Sequence, residues 1–113
     1  MADPVTNQEA LAALRACEQS LAEAFEATSD VAERTAISKT MDAVHQEVVK
    51  TAQAELRNAS GTYTLMTQEI RGAVDDLKKI QAKIDKIIVN TQRAAEAIKV
   101  IAKVVEIAAK AGI

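Results

Sequence analysis

The sequence has no tryptophan, one phenylalanine and one tyrosine. It therefore lacks an aromatic platform for stacking nucleic-acid bases and an aromatic belt for a membrane interface. Cys17 is the single cysteine, which removes any internal disulfide or cysteine-based zinc site. His45 is the single histidine. It lies three residues after Asp42, a spacing used in carboxylate-bridged metal sites of helical bundles, but those sites need a second histidine and several facing carboxylates. No glycine-rich phosphate loop and no Ser/His/Asp set is present. Together these absences lead us to expect no enzyme, no metal, no cofactor and no nucleic-acid partner. No window reaches 18 uninterrupted apolar residues, so no transmembrane helix is expected. The start, Met1-Ala2-Asp3-Pro4-Val5, has neither a basic region nor an apolar one. The default expectation is a cytoplasmic protein, with export without a leader as the alternative; the Asn58-Ala59-Ser60 sequon then carries no meaning.

What the chain does contain is alanine, 23 of its 113 residues, with one proline and three glycines. That composition favours helix nearly throughout. Apolar residues are 49% and charged ones 27%, as in a folded single domain spanning 1–113. The net charge of −2 conceals a division. Residues 1–70 carry five Lys/Arg against eleven Asp/Glu, and residues 71–113 carry nine against five. The halves are of opposite sign and can attract one another, or the basic half can seek an anionic surface.

Thr6-Asn7-Gln8-Glu9 reads as a capping box that opens a first helix, over about 7–28, with Leu11, Leu14, Cys17, Leu21 and Phe25 on one stripe. The phase breaks at Thr28-Ser29-Asp30. Asp30 and Glu33 repeat the capping signature and open a second helix, about 30–58, along Ile37, Met41, Val44, Val48 and Leu56. The cluster Asn58-Ala59-Ser60-Gly61-Thr62 reverses the chain, with Gly61 expected to supply a positive φ. Beyond it one heptad series runs without proline from Tyr63 to about 111, through Ile70, Leu77, Ile84, Thr91, Ile98 and Val105 at one position and Met66, Ala73, Ile80, Ile87, Ala94, Ile101 and Ala108 at the other. It predicts one helix over 63–111, about 70 Å long at 1.5 Å per residue.

The two halves match in length, and positions whose numbers sum to about 120 pair apolar with apolar. Val44 meets Leu77, Met41 meets Ile80, Ile37 meets Ile84, Leu21 meets Ile98, and Leu14 meets Val105. The expected fold is thus all-α, a long antiparallel helical hairpin of coiled-coil type with its first arm broken near 28–30; the alternative is a three-helix bundle in which the first helix folds back. Asn90, Thr91 and Gln92 fall opposite the first-arm break and read as a polar layer that sets register. On that reading Thr91→Ile raises stability by about 1 kcal/mol and loosens oligomer specificity.

From residue 97 onward a second stripe, Val100, Val104, Ile107 and Ala111, runs beside Ile98, Ile101, Val105 and Ala108, leaving Lys99, Lys103, Glu106 and Lys110 as a narrow polar line. One partner helix covers one stripe. These eight apolar residues are therefore the expected partner interface, through which the chain forms a homo-oligomer or takes a helical protein partner. A membrane surface meeting the cationic line is the less favoured alternative. Cys17 reads as a small buried hydrophobe, and the charged run from Asp75 to Lys86 as a solvated helix face. In outline, with about 110 residues, two antiparallel helices and a central turn, the chain resembles the Trp-x-Gly class of small secreted bacterial helical hairpins. Ser60-Gly61-Thr62-Tyr63 stands where that class has its motif, and no Tyr-x-x-x-Asp/Glu signal follows the second helix. The resemblance implies a non-enzymatic role beside a secretion or toxin system.

Overall fold

The computed structural model describes residues 5–111; Met1–Pro4, on which most of the leader reading rests, lie outside them. The described chain is all-α, with helices α1 (Asn7–Ala27), α2 (Val31–Arg57), α3 (Gln68–Ile87) and α4 (Thr91–Lys110). The capping box forms as expected. Thr6 Oγ1 accepts from the Glu9 N–H at 3.1 Å, and the Glu9 carboxylate accepts from the Thr6 N–H at 3.3 Å. At the break, Asp30 caps α2 by accepting from the Glu33 N–H at 2.9 Å, while the Thr28 hydroxyl donates to Glu33 Oε1 at 2.6 Å. These groups satisfy helix-end donors that would otherwise be left without partners.

Two expectations are corrected. The helix expected over 63–111 is two helices, because the backbone turns extended at Ile88 (φ −97°, ψ 108°) and Asn90 (φ −69°, ψ 112°). Its first turn is absent as well: Tyr63–Thr67 belong to the connection, and Thr67 caps α3 by accepting from the Ile70 N–H at 3.2 Å. A 49-residue helix of about 70 Å would also not fit a molecule whose longest dimension is 40 Å. Gly61, in turn, has no positive φ; a Cβ there would come within 2.7 Å of Asn58 Nδ2, so its role is to leave room. Gly72 lies inside α3 with open space around it and does not interrupt the helix.

The result is a four-helix bundle in which each helix packs on its neighbours around a square: α1 on α2, α2 on α3, α3 on α4 and α4 on α1. The antiparallel pairing inferred from the sequence survives inside it. Arg93 of α4 reaches Glu23 of α1, numbers that sum to 116, and Ile37 of α2 lines a seam with Ile80 and Ile87 of α3. The chain is thus a hairpin folded in half at two turns, 28–30 and 88–90, which meet at one end of the bundle. At the other end the 58–67 connection receives the start of α1. The Asn7 and Gln8 N–H groups donate to Gly61 O (2.8 Å) and Ala59 O (3.0 Å), and Thr6 and Thr62 form an isolated antiparallel bridge. Leu14, Leu21, Ile37, Val44, Ile70, Leu77, Ile84 and Ile101 fill the centre, each almost wholly removed from water.

Asn90, Thr91 and Gln92 are all exposed. They are a helix start and not a core layer, with Asn90 Oδ1 accepting from the Arg93 N–H at 3.0 Å. Asn90→Ala is therefore expected to cost about 1 kcal/mol in urea denaturation, as loss of an N-cap does. Thr91→Ile should change stability by less than about 0.5 kcal/mol instead of raising it, because an exposed first-turn position has no packing to gain.

Candidate functional site

The doubled stripe of α4 is placed inside the protein's own bundle. Ile101, Val104, Ile107 and Ala108 are buried, and Ile98, Val100, Val105 and Ala111 pack partly buried against the same core. The reason is geometric: in the square, α4 has two neighbours, α1 and α3, and each covers one of its stripes. The polar line beside it, Lys99, Lys103, Glu106 and Lys110, faces solvent. Glu106 accepts from Lys110 at 3.1 Å, and the neighbouring ammonium groups hold its carboxyl below the usual range. No helix among the described residues is long and apolar enough to cross a membrane.

A cluster that the sequence reading passed over lies at the opposite side of the core. Glu47 is fully buried on α2, and its carboxylate accepts three hydrogen bonds from the 58–67 connection. These come from Tyr63 Oη at 2.5 Å, the Met66 N–H at 2.9 Å and Thr67 Oγ1 at 2.9 Å. None of the described cations pairs with it. A signal was present in the sequence, since Thr40, Val44, Glu47 and Thr51 recur at spacings of four, three and four on the apolar face, and all four are buried. Burial first, and then the bond to Glu47, pushes the Tyr63 hydroxyl far above its ordinary range. Every partner of the carboxylate belongs to one segment, so the cluster acts as a clasp fixing the α2–α3 connection to α2.

Among the described residues a groove of about 1110 Å³ lies on the outer side of α1 and α2. Phe25, Val31 and Met41 give it an apolar lining. Val31 is 78% exposed, and the Arg34 guanidinium lies 4.2 Å from the centre of the Phe25 ring. Farther from the turn, His45 Nδ1 and Glu18 Oε2 meet at 2.8 Å beside Asp42. The dyad resembles half of an acid–base relay, but no described hydroxyl or thiol bonds the ring's other nitrogen. Among the described residues no three potential ligands gather around a metal position.

Cys17 is wholly buried, and burial, reinforced by the adjacent Glu18, pushes its thiol up to about 12. A raised pKa means that the folded state holds the proton more tightly than the unfolded state. The stability it contributes is complete below pH 9 and is lost as pH rises toward 12, and Tyr63 adds to the loss above pH about 10. The urea midpoint should accordingly be flat from pH 7 to 8.5 and fall steeply by pH 11. An unchanged midpoint at pH 11 would show that neither group is buried in solution.

No family model, no curated protein and no solved structure matches this chain.

Proposed function

We propose that the chain is a non-enzymatic helical interaction module that takes an amphipathic helix of a protein partner into the α1–α2 groove. The observation that supports this reading is the groove's composition: the apolar side chains of Phe25, Val31 and Met41 interspersed with charged ones of both signs. The lining residues of α2 from Val31 to His45 span about 21 Å, which accommodates a helix of about four turns. Arg34 and Lys39 are the cations of the groove, and Glu18 and Asp42, beside His45, its acids farther from the turn, so a partner helix with acidic residues toward Arg34 and Lys39 and basic ones toward Glu18 and Asp42 is the complementary ligand. The setting implied by the outline resemblance, beside a secretion or toxin system, belongs to the same proposal.

Displayed libraries of 16-residue helical peptides, panned on the purified protein, test it. Selected peptides should carry that charge order and lose at least tenfold in affinity on Met41→Asp, with Lys103→Glu on α4 leaving binding unchanged. Failure to select any binder, or binders indifferent to Met41→Asp, would remove the proposal.

A further inference from the structure

The structure folds one hairpin in half, and nothing in either fold point requires the bend to be made within one chain. We propose that a second copy of this chain is a partner, reached by opening the turns at 28–30 and 88–90 so that two extended hairpins interlock. In that dimer α1 of each copy packs on α2 of the other, and α3 on α4 of the other. The α2–α3 and α1–α4 pairings stay within each chain, as does the clasp of Glu47.

Four observations carry this. Both turns are only three residues long, and neither contains glycine or proline; Thr28, Asp30, Ile88 and Asn90 all have negative φ, so it is chiefly ψ that separates these four from helix. The turns lie together at one end of the bundle, where Asp30 shares a recess with Ile87 and Ala27 shares another with Ile88, Val89 and Asn90, so both open in one movement. Ser29, Val89 and Asn90 are exposed, Val89 by 92%, so that of the two turns only Ile88 is anchored in the core. Finally, the heptad series passes through 88–90 without a slip, Ile80, Ile87, Ala94 and Ile101 at one position and Ile84, Thr91 and Ile98 at the other, so a straight α3–α4 helix satisfies the same pattern. The first arm changes phase across 28–30 and remains kinked when opened. What opposes opening is local: the caps at Asp30 and Asn90, the Thr28–Glu33 bond and the burial of Ile88.

The exchange is closed and twofold, since every contact given up within a chain is remade with the other copy. It includes the start of α1, whose Asn7 and Gln8 donors would meet Gly61 and Ala59 of the second copy. Short connections of this kind favour exchange, and lengthening them suppresses it.

The diagnostic is which contacts become intermolecular. Glu18 and His45 join α1 to α2, a contact that the exchange transfers between chains. Glu23 and Arg93 join α1 to α4, a contact that it keeps within one. The full chain, as Cys17→Ala carrying either Glu18→Cys with His45→Cys or Glu23→Cys with Arg93→Cys, is refolded at millimolar concentration, fractionated by size and oxidised. We expect a dimer fraction that is covalently dimeric on a non-reducing gel for the first pair and monomeric for the second. Its longest dimension by small-angle scattering should be nearly twice that of the 40 Å bundle. Asp30→Ala with Asn90→Ala, verified as helical by circular dichroism, should raise the dimer fraction at least tenfold, and insertion of four Gly/Ser residues in both turns should abolish it. A chain that stays monomeric even with both caps removed would overturn the proposal. So would a dimer whose Glu18→Cys/His45→Cys disulfide stays within one chain. Neither outcome bears on peptide binding in the α1–α2 groove, which is read by different variants.

Discussion

Replacing Glu47 by alanine is expected to destabilise the protein by about 3–5 kcal/mol, measured as the loss of unfolding free energy in urea. The figure follows from what the substitution strands. Tyr63 Oη, the Met66 N–H and Thr67 Oγ1 all donate to this carboxylate. Each buried donor left without an acceptor costs about 1–3 kcal/mol, with water entering the vacated space offsetting part of the sum. Glu47→Gln tests the chemistry apart from the volume. With its NH₂ toward the Thr67 hydroxyl, which can accept, the amide keeps its oxygen for Tyr63 Oη and the Met66 N–H, so a loss of only about 1–2 kcal/mol is expected, from the weaker acceptance of a neutral oxygen. Tyr63→Phe removes one donor and no acceptor, and should cost about 1 kcal/mol.

Coupling between the two positions identifies the clasp. In a double-mutant cycle, Tyr63→Phe should cost less in the Glu47→Gln background than alone, because a neutral amide oxygen accepts more weakly than a carboxylate. Loss of the clasp should also loosen the α2–α3 connection ahead of the rest. Amide exchange at Met66 is expected to quicken more than exchange at Leu77, which sits in the middle of α3. Should Glu47→Ala prove neutral, the carboxylate is solvated in solution and the connection is held by the Thr6–Thr62 bridge and its neighbouring bonds instead.

How much of this was legible in the sequence depends on the range of the interaction. The first two helix starts were, because a cap is local: Thr6 with Glu9 and Asp30 with Glu33 form the bonds their spacing implies, whereas the caps at Thr67 and Asn90 lie inside an unbroken heptad pattern. The pairing of the two halves was legible because two apolar stripes align in only a few registers. The bend at 88–90 was not, since its residues are compatible with helix and the heptad runs straight through them. What decides the bend is tertiary. An extended hairpin leaves the second stripe of α4 bare, whereas folding back covers it with the chain's own helices. The α1–α2 groove was invisible for a related reason: Phe25 and Met41 read as core when the first arm is taken as extended across its break, and they line the groove once α2 folds beside α1. Glu47 was passed over because a charged residue is by default assigned to the surface, although its register with Val44 and Thr51 places it on the buried face.

The bundle also changes the expected outcome of one substitution. On the extended-hairpin reading, Ile101→Asp disrupts assembly while leaving each chain folded, whereas Val44→Asp unfolds it, because only Val44 belongs to the internal seam. In the structure Ile101 and Val44 are both wholly removed from water. An aspartate at either site places a carboxylate in a hydrocarbon surrounding with no partner and removes the packing of a branched aliphatic side chain. Each change is expected to cost more than about 4 kcal/mol. For a four-helix domain of this size that is a large part of the total stability, so both variants should have lost most of their helical circular dichroism at 37 °C. Val105, only partly buried at the edge of the same helix, provides the contrast: Val105→Asp should stay folded with a loss of about 1–2 kcal/mol. A folded Ile101→Asp variant that sediments as a monomer, where the parent chain sediments as an oligomer, would return α4 to the role of an interface and count against the closed bundle.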